Sequence, residues 1–191
     1  MKYSDLQRID IEYDPDKLKS CFPREIEDYG DSIMFEDAID NSYAHELAAR
    51  LGLDPEEYIV CVSVNLGHIE WHSHIFGERN YIFPVQGESI THVDEFYAGE
   101  YGYNNQYGYM PDDSVRSSMT LSAKPGQAYT LNTAKPHAVE SLLQGHRYCV
   151  HIQVPPDGVS MEEFTRIQDE EEADETFQHT AVPILVKFKE N

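Results

Sequence analysis

The pattern of apolar and polar positions changes near residue 58. Before it, apolar residues recur at helical spacing. Across Asn41–Leu51, the side chains of Tyr43, Leu47, Ala48 and Leu51 fall on one face, and Gly52 follows as a stop. A second short helix is expected near Asp16–Cys21, ended by Pro23. Residues 1–57 are therefore expected to be mainly helical and to act as a support layer. From Tyr58 onwards, short runs rich in β-branched and aromatic residues take over. Tyr58–Val64, Asn80–Val85, Ser89–Tyr97, Ser117–Ser122, Ala128–Asn132 and Arg147–Val154 read as strands. Gly67, Gly77, Gly87, Gly126 and Gly145 lie between them as turn signals.

Helix first and short strands after predict an α+β, mainly β fold with a sandwich or barrel as its core. A length of 191 residues suits a single domain, with 1–57 as helical support, 58–154 as the core and 155–191 as an acidic C-terminal segment. Tyr97–Tyr109 is a low-complexity Tyr- and Gly-rich stretch of the kind that forms a lid or a surface insertion. Glu162–Glu175 reads as a solvated acidic helix face or tail, and Ala181–Phe188 as a candidate final strand.

Charge narrows the range of partners. Asp and Glu number 35 against 14 Lys and Arg, a formal net charge of −21. Such a field repels nucleic-acid phosphates and anionic membrane surfaces. It also opposes an anionic cosubstrate, which would need a local cationic anchor. Cys21, Cys61 and Cys149 are odd in number and lack paired spacing, so a reduced, cytoplasmic setting is expected. Met1–Tyr13 has no apolar signal region, and no apolar run reaches the length of a membrane span.

The chemistry concentrates in histidines. In Gly67-His-Ile-Glu-Trp-His-Ser-His74, strand alternation puts His68, Glu70, His72 and His74 on one face. Imidazole and carboxylate suit Fe, Mn, Zn, Ni or Cu. One strand cannot enclose a metal, and Lys135-Pro-His137 offers a partner from a distant part of the chain. Arg147 follows His137 by 147 − 137 = 10 residues.

These segments resemble a known family. Gly67-x-Ile69-x-x-His72-x-His74 is similar to the first motif of iron(II)/2-oxoglutarate oxygenases, Gly-x-Ile-x-x-His-x-Asp, and Arg79-Asn-Tyr-Ile-Phe-Pro84 to the strand after it. Tyr129–Val139 resembles the second motif of the aspartyl/asparaginyl β-hydroxylase-like branch, and the step from His137 to Arg147 matches that branch's spacing. The resemblance spans roughly residues 58–154. It implies a double-stranded β-helix (jelly roll) core and a dioxygenase that couples 2-oxoglutarate decarboxylation to hydroxylation of a small-molecule or peptidyl substrate. It further implies Fe(II) ligation by His72 and His137, with Arg147 on the distal carboxylate of 2-oxoglutarate and Arg79 near substrate or cosubstrate. A homodimer is compatible with this fold class.

One position departs from the family pattern. His74 stands where the family has its carboxylate ligand. His74 either ligates, giving a three-histidine site, or leaves its place to water. Otherwise the pair is His92/Asp94, or else His68/Glu70. Two rival functions follow. A cupin would use His72, His74, Glu78 and His137 as four ligands, without 2-oxoglutarate and with no special need for Arg147. A non-catalytic binding module would keep the scaffold without the iron. Nothing supports a serine or cysteine nucleophile at the level of local motif.

Overall fold

A computed structural model of the chain describes residues 5–22, 34–66, 69–72, 79–94, 118–142 and 146–172. They form two antiparallel sheets with few helices. The strands are β1 (Leu6–Arg8), β2 (Met34–Asp37), β3 (Ile59–Leu66), β4 (Ile69–His72), β5 (Arg79–Gln86), β6 (Ser89–Asp94), β7 (Ser118–Ala123), β8 (Tyr129–Asn132), β9 (His137–Ser141) and β10 (His146–Val154). Sheet A has six strands in the order β1-β8-β5-β10-β3-β2, and sheet B has four in the order β4-β9-β6-β7.

From β3 to β10 the chain passes repeatedly between the sheets, so sequence neighbours such as β3 and β4 lie in different sheets. The crossings need sharp corners. Between β5 and β6, the corner is made at Gly87, whose φ of +82° is costly for a residue with a Cβ.

Sheet A is covered on both faces. One face carries Val60, Val62, Val64, Tyr81, Phe83, Tyr148, Val150 and Ile152, packed with Leu18, Ala44, Leu47 and Ala48 of the N-terminal helices. The opposite face carries Ile82, Tyr129, Leu131 and Cys149, which meet Val93 and Ala123 of sheet B. This second cluster is the interior between the sheets.

The helices are α1 (Pro15–Leu18), a 3-10 turn over Lys19–Cys21, α2 (Ser42–Arg50) and α3 (Met161–Glu172). Their caps are local. Asp14 accepts the Asp16 N–H at 3.0 Å, with Pro15 opening α1. The end of α2 is closed by Gly52 N–H to Ala49 C=O and Leu53 N–H to Ala48 C=O, both 3.0 Å, around a Gly52 φ of +78°. Ser160 caps α3 through the Glu163 N–H at 3.2 Å, and Phe164 anchors the acidic helix by burial.

One expectation changes. The described part of the N-terminal region is not mainly helical, because β1 and β2 add to the two edges of sheet A. Both strands are short, at three and four residues, and take their hydrogen bonds from β8 and β3. That is why their own sequences carry little strand signal. A strand not named in the sequence reading, β9, begins at His137 itself, directly after the turn. The Tyr97–Tyr109 stretch and Ala181–Phe188 lie outside the described residues.

Candidate functional site

Antiparallel pairing of β4 with β9 sets His72 directly across from His137 in backbone register. Residues 65 positions apart in the chain thus become cross-strand neighbours, which stand about 5 Å apart at Cβ in such pairs. His137 is also the register partner of Val93, which belongs to the interior cluster, and its own side chain is buried. Its Nδ1 lies 2.9 Å from the Lys135 carbonyl. A carbonyl only accepts, so Nδ1 carries the hydrogen and Nε2 is the basic nitrogen. A backbone carbonyl holding one imidazole nitrogen is how proteins commonly orient a metal-ligating histidine.

Arg147 enters the same interior from β10 and is 4% exposed. It donates from Nη1 to the Ser89 hydroxyl at 3.3 Å, while its Nε has no hydrogen-bond partner among the described residues. Tyr129 and Cys149 lie beside it, and Thr91 donates to the Tyr129 hydroxyl at 3.1 Å. No carboxylate accompanies the guanidinium among the described residues. Burial pushes the Tyr129 phenol and the Cys149 thiol upward, with Arg147 pulling the other way. Both stay neutral at pH 7 and cannot balance the cation. For Arg147 itself burial works against the charge, Cys149 and Tyr129 favour it, and the balance is upward. A buried charge held this way is expensive unless an anion joins it.

The two ends of the interior differ. Ser89 pairs with Ser141 and Val93 with His137, so the Arg147–Ser89 contact and His137 are four strand positions apart, about 13 Å along the sheet. Further along β10 from Arg147, past Cys149, the inner face of sheet A is polar. His151 Nε2 lies 2.7 Å from Ser63 Oγ, and His151 Nδ1 lies 3.2 Å from Asn80 Oδ1. Gln153 is buried two residues beyond His151 on the same strand. Local sequence gave no warning of this group. Ser63, Asn80 and His151 sit on three strands, and no short motif connects them.

Other expected residues are placed elsewhere. Arg79 opens β5, opposite Val154, on the side of the strand that carries Tyr81 and Phe83 and packs towards the helices. It does not share the interior with Arg147. His92 pairs in register with Ala138, so it lies on the sheet B face opposite to His137, with Nε2 3.6 Å from Glu140. Burial lowers its pKa and Glu140 opposes that shift. The His92/Asp94 alternative therefore fails, because alternation turns those two side chains away from His137. Glu70 lies on β4, whereas His68, His74 and Glu78 are outside the described residues. Among the described residues no group of three or more His, Cys, Asp or Glu side chains is assembled for a metal. No helix among them is long and apolar enough to cross a membrane.

Comparison with known proteins gives fold likeness only. No family model matches the chain, and no curated protein matches it. Among solved structures, Escherichia coli ycfD aligns with a TM-score of 0.50 at 14% identity, over 87% of this chain and 46% of that one. TT1209 from Thermus thermophilus aligns with a TM-score of 0.40 at 14% identity, over 75% of this chain and 95% of that one. The DMSP lyase DddQ from Ruegeria pomeroyi aligns with a TM-score of 0.36 at 11% identity, over 55% and 42%. The chain thus spans about half the length of ycfD and of several other structures it resembles. The ycfD alignment shows a likeness of fold alone.

Proposed function

We propose that this chain is a double-stranded β-helix that acts as an iron(II)- and 2-oxoglutarate-dependent oxygenase on a small-molecule or peptidyl substrate. Eight strands, β3 to β10, distributed over two sheets in the orders β8-β5-β10-β3 and β4-β9-β6-β7 support the jelly-roll reading. The observation that carries the functional reading is Arg147: a buried guanidinium with an orphaned Nε and no carboxylate beside it among the described residues, in a chain of net charge −21. A dicarboxylate end matches its donors, because a guanidinium binds carboxylate bidentately and stays charged. The same feature favours the oxygenase over a cupin, which has no use for such an anchor.

Imidazole donors suit iron(II). His72 and His137, opposite each other in backbone register, would be two of the imidazole donors, with His74 the third that the sequence offers. When bound, iron with its cosubstrate supplies the oxidising power for C–H hydroxylation. The chain's own residues do the rest. Lys135 C=O fixes the His137 tautomer, and Arg147, beside Ser89 and Tyr129, would hold the distal carboxylate. Arg79 takes no part in this assignment.

Anaerobic titration with Fe(II) and 2-oxoglutarate tests it. A weak visible charge-transfer band is expected for the wild type, absent in His137→Ala and His72→Ala. A wild type without the band refutes the proposal.

A further inference from the structure

The pairing of β4 with β9 is not regular. Between the pairs Ile69–Val139 and His72–His137, β4 advances 72 − 69 = 3 residues while β9 advances 139 − 137 = 2. One extra residue is therefore taken up in β4, as in a β-bulge. Its consequence falls on the candidate metal pair. A regular ladder continued from Ile69–Val139 would set Trp71 opposite His137 and turn position 72 to the other face of sheet B, because a one-residue slip exchanges faces. Trp71 is large and apolar, so burial alone would favour its entry into the interior. Something on the outer face must hold it there.

His92 supplies that hold. It lies on the outer face of sheet B as the register partner of Ala138. The Trp71 and His92 ring centroids are 6.3 Å apart at an interplanar angle of 55°, and both side chains are half-buried. Their strands, β4 and β6, flank β9 on either side. Two inter-strand spacings amount to about 9.6 Å, so the rings lean towards each other over Ala138, whose single methyl leaves room for them. Glu140, two residues further along β9 on the same face, adds a second contact to the imidazole, with Oε2 3.6 Å from Nε2.

We propose that Trp71 is a positioning residue: its ring, held against His92 over Ala138, pins the β4 bulge and so keeps His72, and not Trp71 itself, opposite His137. The inference rests on the oxygenase reading in taking His72 and His137 as the metal pair. Neither Trp71 nor His92 touches metal or substrate in this role. Their effect reaches the site only through the register of β4.

Replacing His92 in the full chain tests it, with Co(II) alone as the probe. His92→Phe keeps a ring for Trp71, whereas His92→Gln and His92→Ala remove it. Co(II) affinity, followed by calorimetry, is expected to fall roughly twofold to tenfold in the Gln and Ala variants, the range of one aromatic contact, and to stay within about twofold of the wild type in His92→Phe. Register is read separately, by backbone NOEs between β4 and β9 in metal-free protein. The wild type should show His72 paired with His137, and His92→Ala should add contacts between Trp71 and His137. A variant that is only less stable keeps its NOE pattern and the Co(II) affinity of its folded molecules, so a merely structural role moves neither readout. Unchanged register in His92→Ala overturns the proposal, as does unchanged Co(II) affinity where the wild type binds the ion, or a His92→Phe variant that fails like His92→Ala. A wild type that does not bind Co(II), together with a shifted register in His92→Ala, strikes the oxygenase reading and leaves the pinning by Trp71 standing.

Discussion

Replacing Arg147 by Met separates a structural cation from a functional one by the sign of a stability change. The side chains have similar reach, and Met removes the charge without leaving a large hole. If Arg147 were held by protein carboxylates, the substitution would strand a buried partner and cost about 3–5 kcal/mol. The partners described are instead a hydroxyl, a phenol and a thiol, all neutral. Losing the hydrogen bonds to Ser89, Tyr129 and Cys149 costs about 1 kcal/mol each, whereas removing a buried charge that lacks an anion recovers a desolvation penalty of several kcal/mol. Ligand-free Arg147→Met should therefore lie within about 1 kcal/mol of the wild type or above it. Binding moves the opposite way. Truncating one side of a buried charge pair costs about 2–5 kcal/mol, so 2-oxoglutarate affinity should fall roughly thirtyfold or more. Urea denaturation with and without 2-oxoglutarate reads both quantities. At one hundred times Kd the wild type should gain about 2.7 kcal/mol, and the variant little at the same concentration. A ligand-free loss of about 3 kcal/mol or more, with ligand stabilisation retained, would refute the reasoning.

Three further outcomes are expected. Burial pushes the Cys21 thiol up to about 12 and raises the Cys149 thiol and the Tyr129 phenol as well. The folded protein thus holds these protons more tightly than the unfolded chain, and that stability is complete below the ordinary thiol value of 9.0 and drains away as pH rises towards 12. Each such group contributes a slope of about 1.4 kcal/mol per pH unit, so denaturation midpoints flat from about pH 8 to 11 would contradict the burial. Leu47→Ala in α2 removes a fully buried side chain between the helix and sheet A and should cost about 2–5 kcal/mol by chemical denaturation; a loss below about 1 kcal/mol would mean that the helix is not docked as described. Cys21, Cys61 and Cys149 are all free and buried, so Ellman's reagent should titrate them only as fast as the protein unfolds. A thiol that reacts at once in native buffer would show that this part of the core is open.

The periodicity of the chain by itself determined that strands dominate after residue 58 and that a helix runs over Asn41–Leu51 and stops at Gly52, and its motifs singled out His72, His137 and Arg147 as candidates. These are local or motif-level properties, written in spacing and residue type. Tertiary structure decided which side of each strand is the inside. In Arg147-Tyr-Cys-Val-His-Ile-Gln153 the polar and apolar residues alternate as in a strand with one wet face. Here the apolar face lies under the helices and the polar face lines the space between the sheets, so both are buried. Alternation reports two faces but not which of them meets water, because that depends on what the rest of the chain lays over each. For the same reason, Ser63, Asn80 and His151 became neighbours only through pairing among β3, β5 and β10. Register, a property of two strands at once, turned His92 and Arg79 away and set His72 opposite His137.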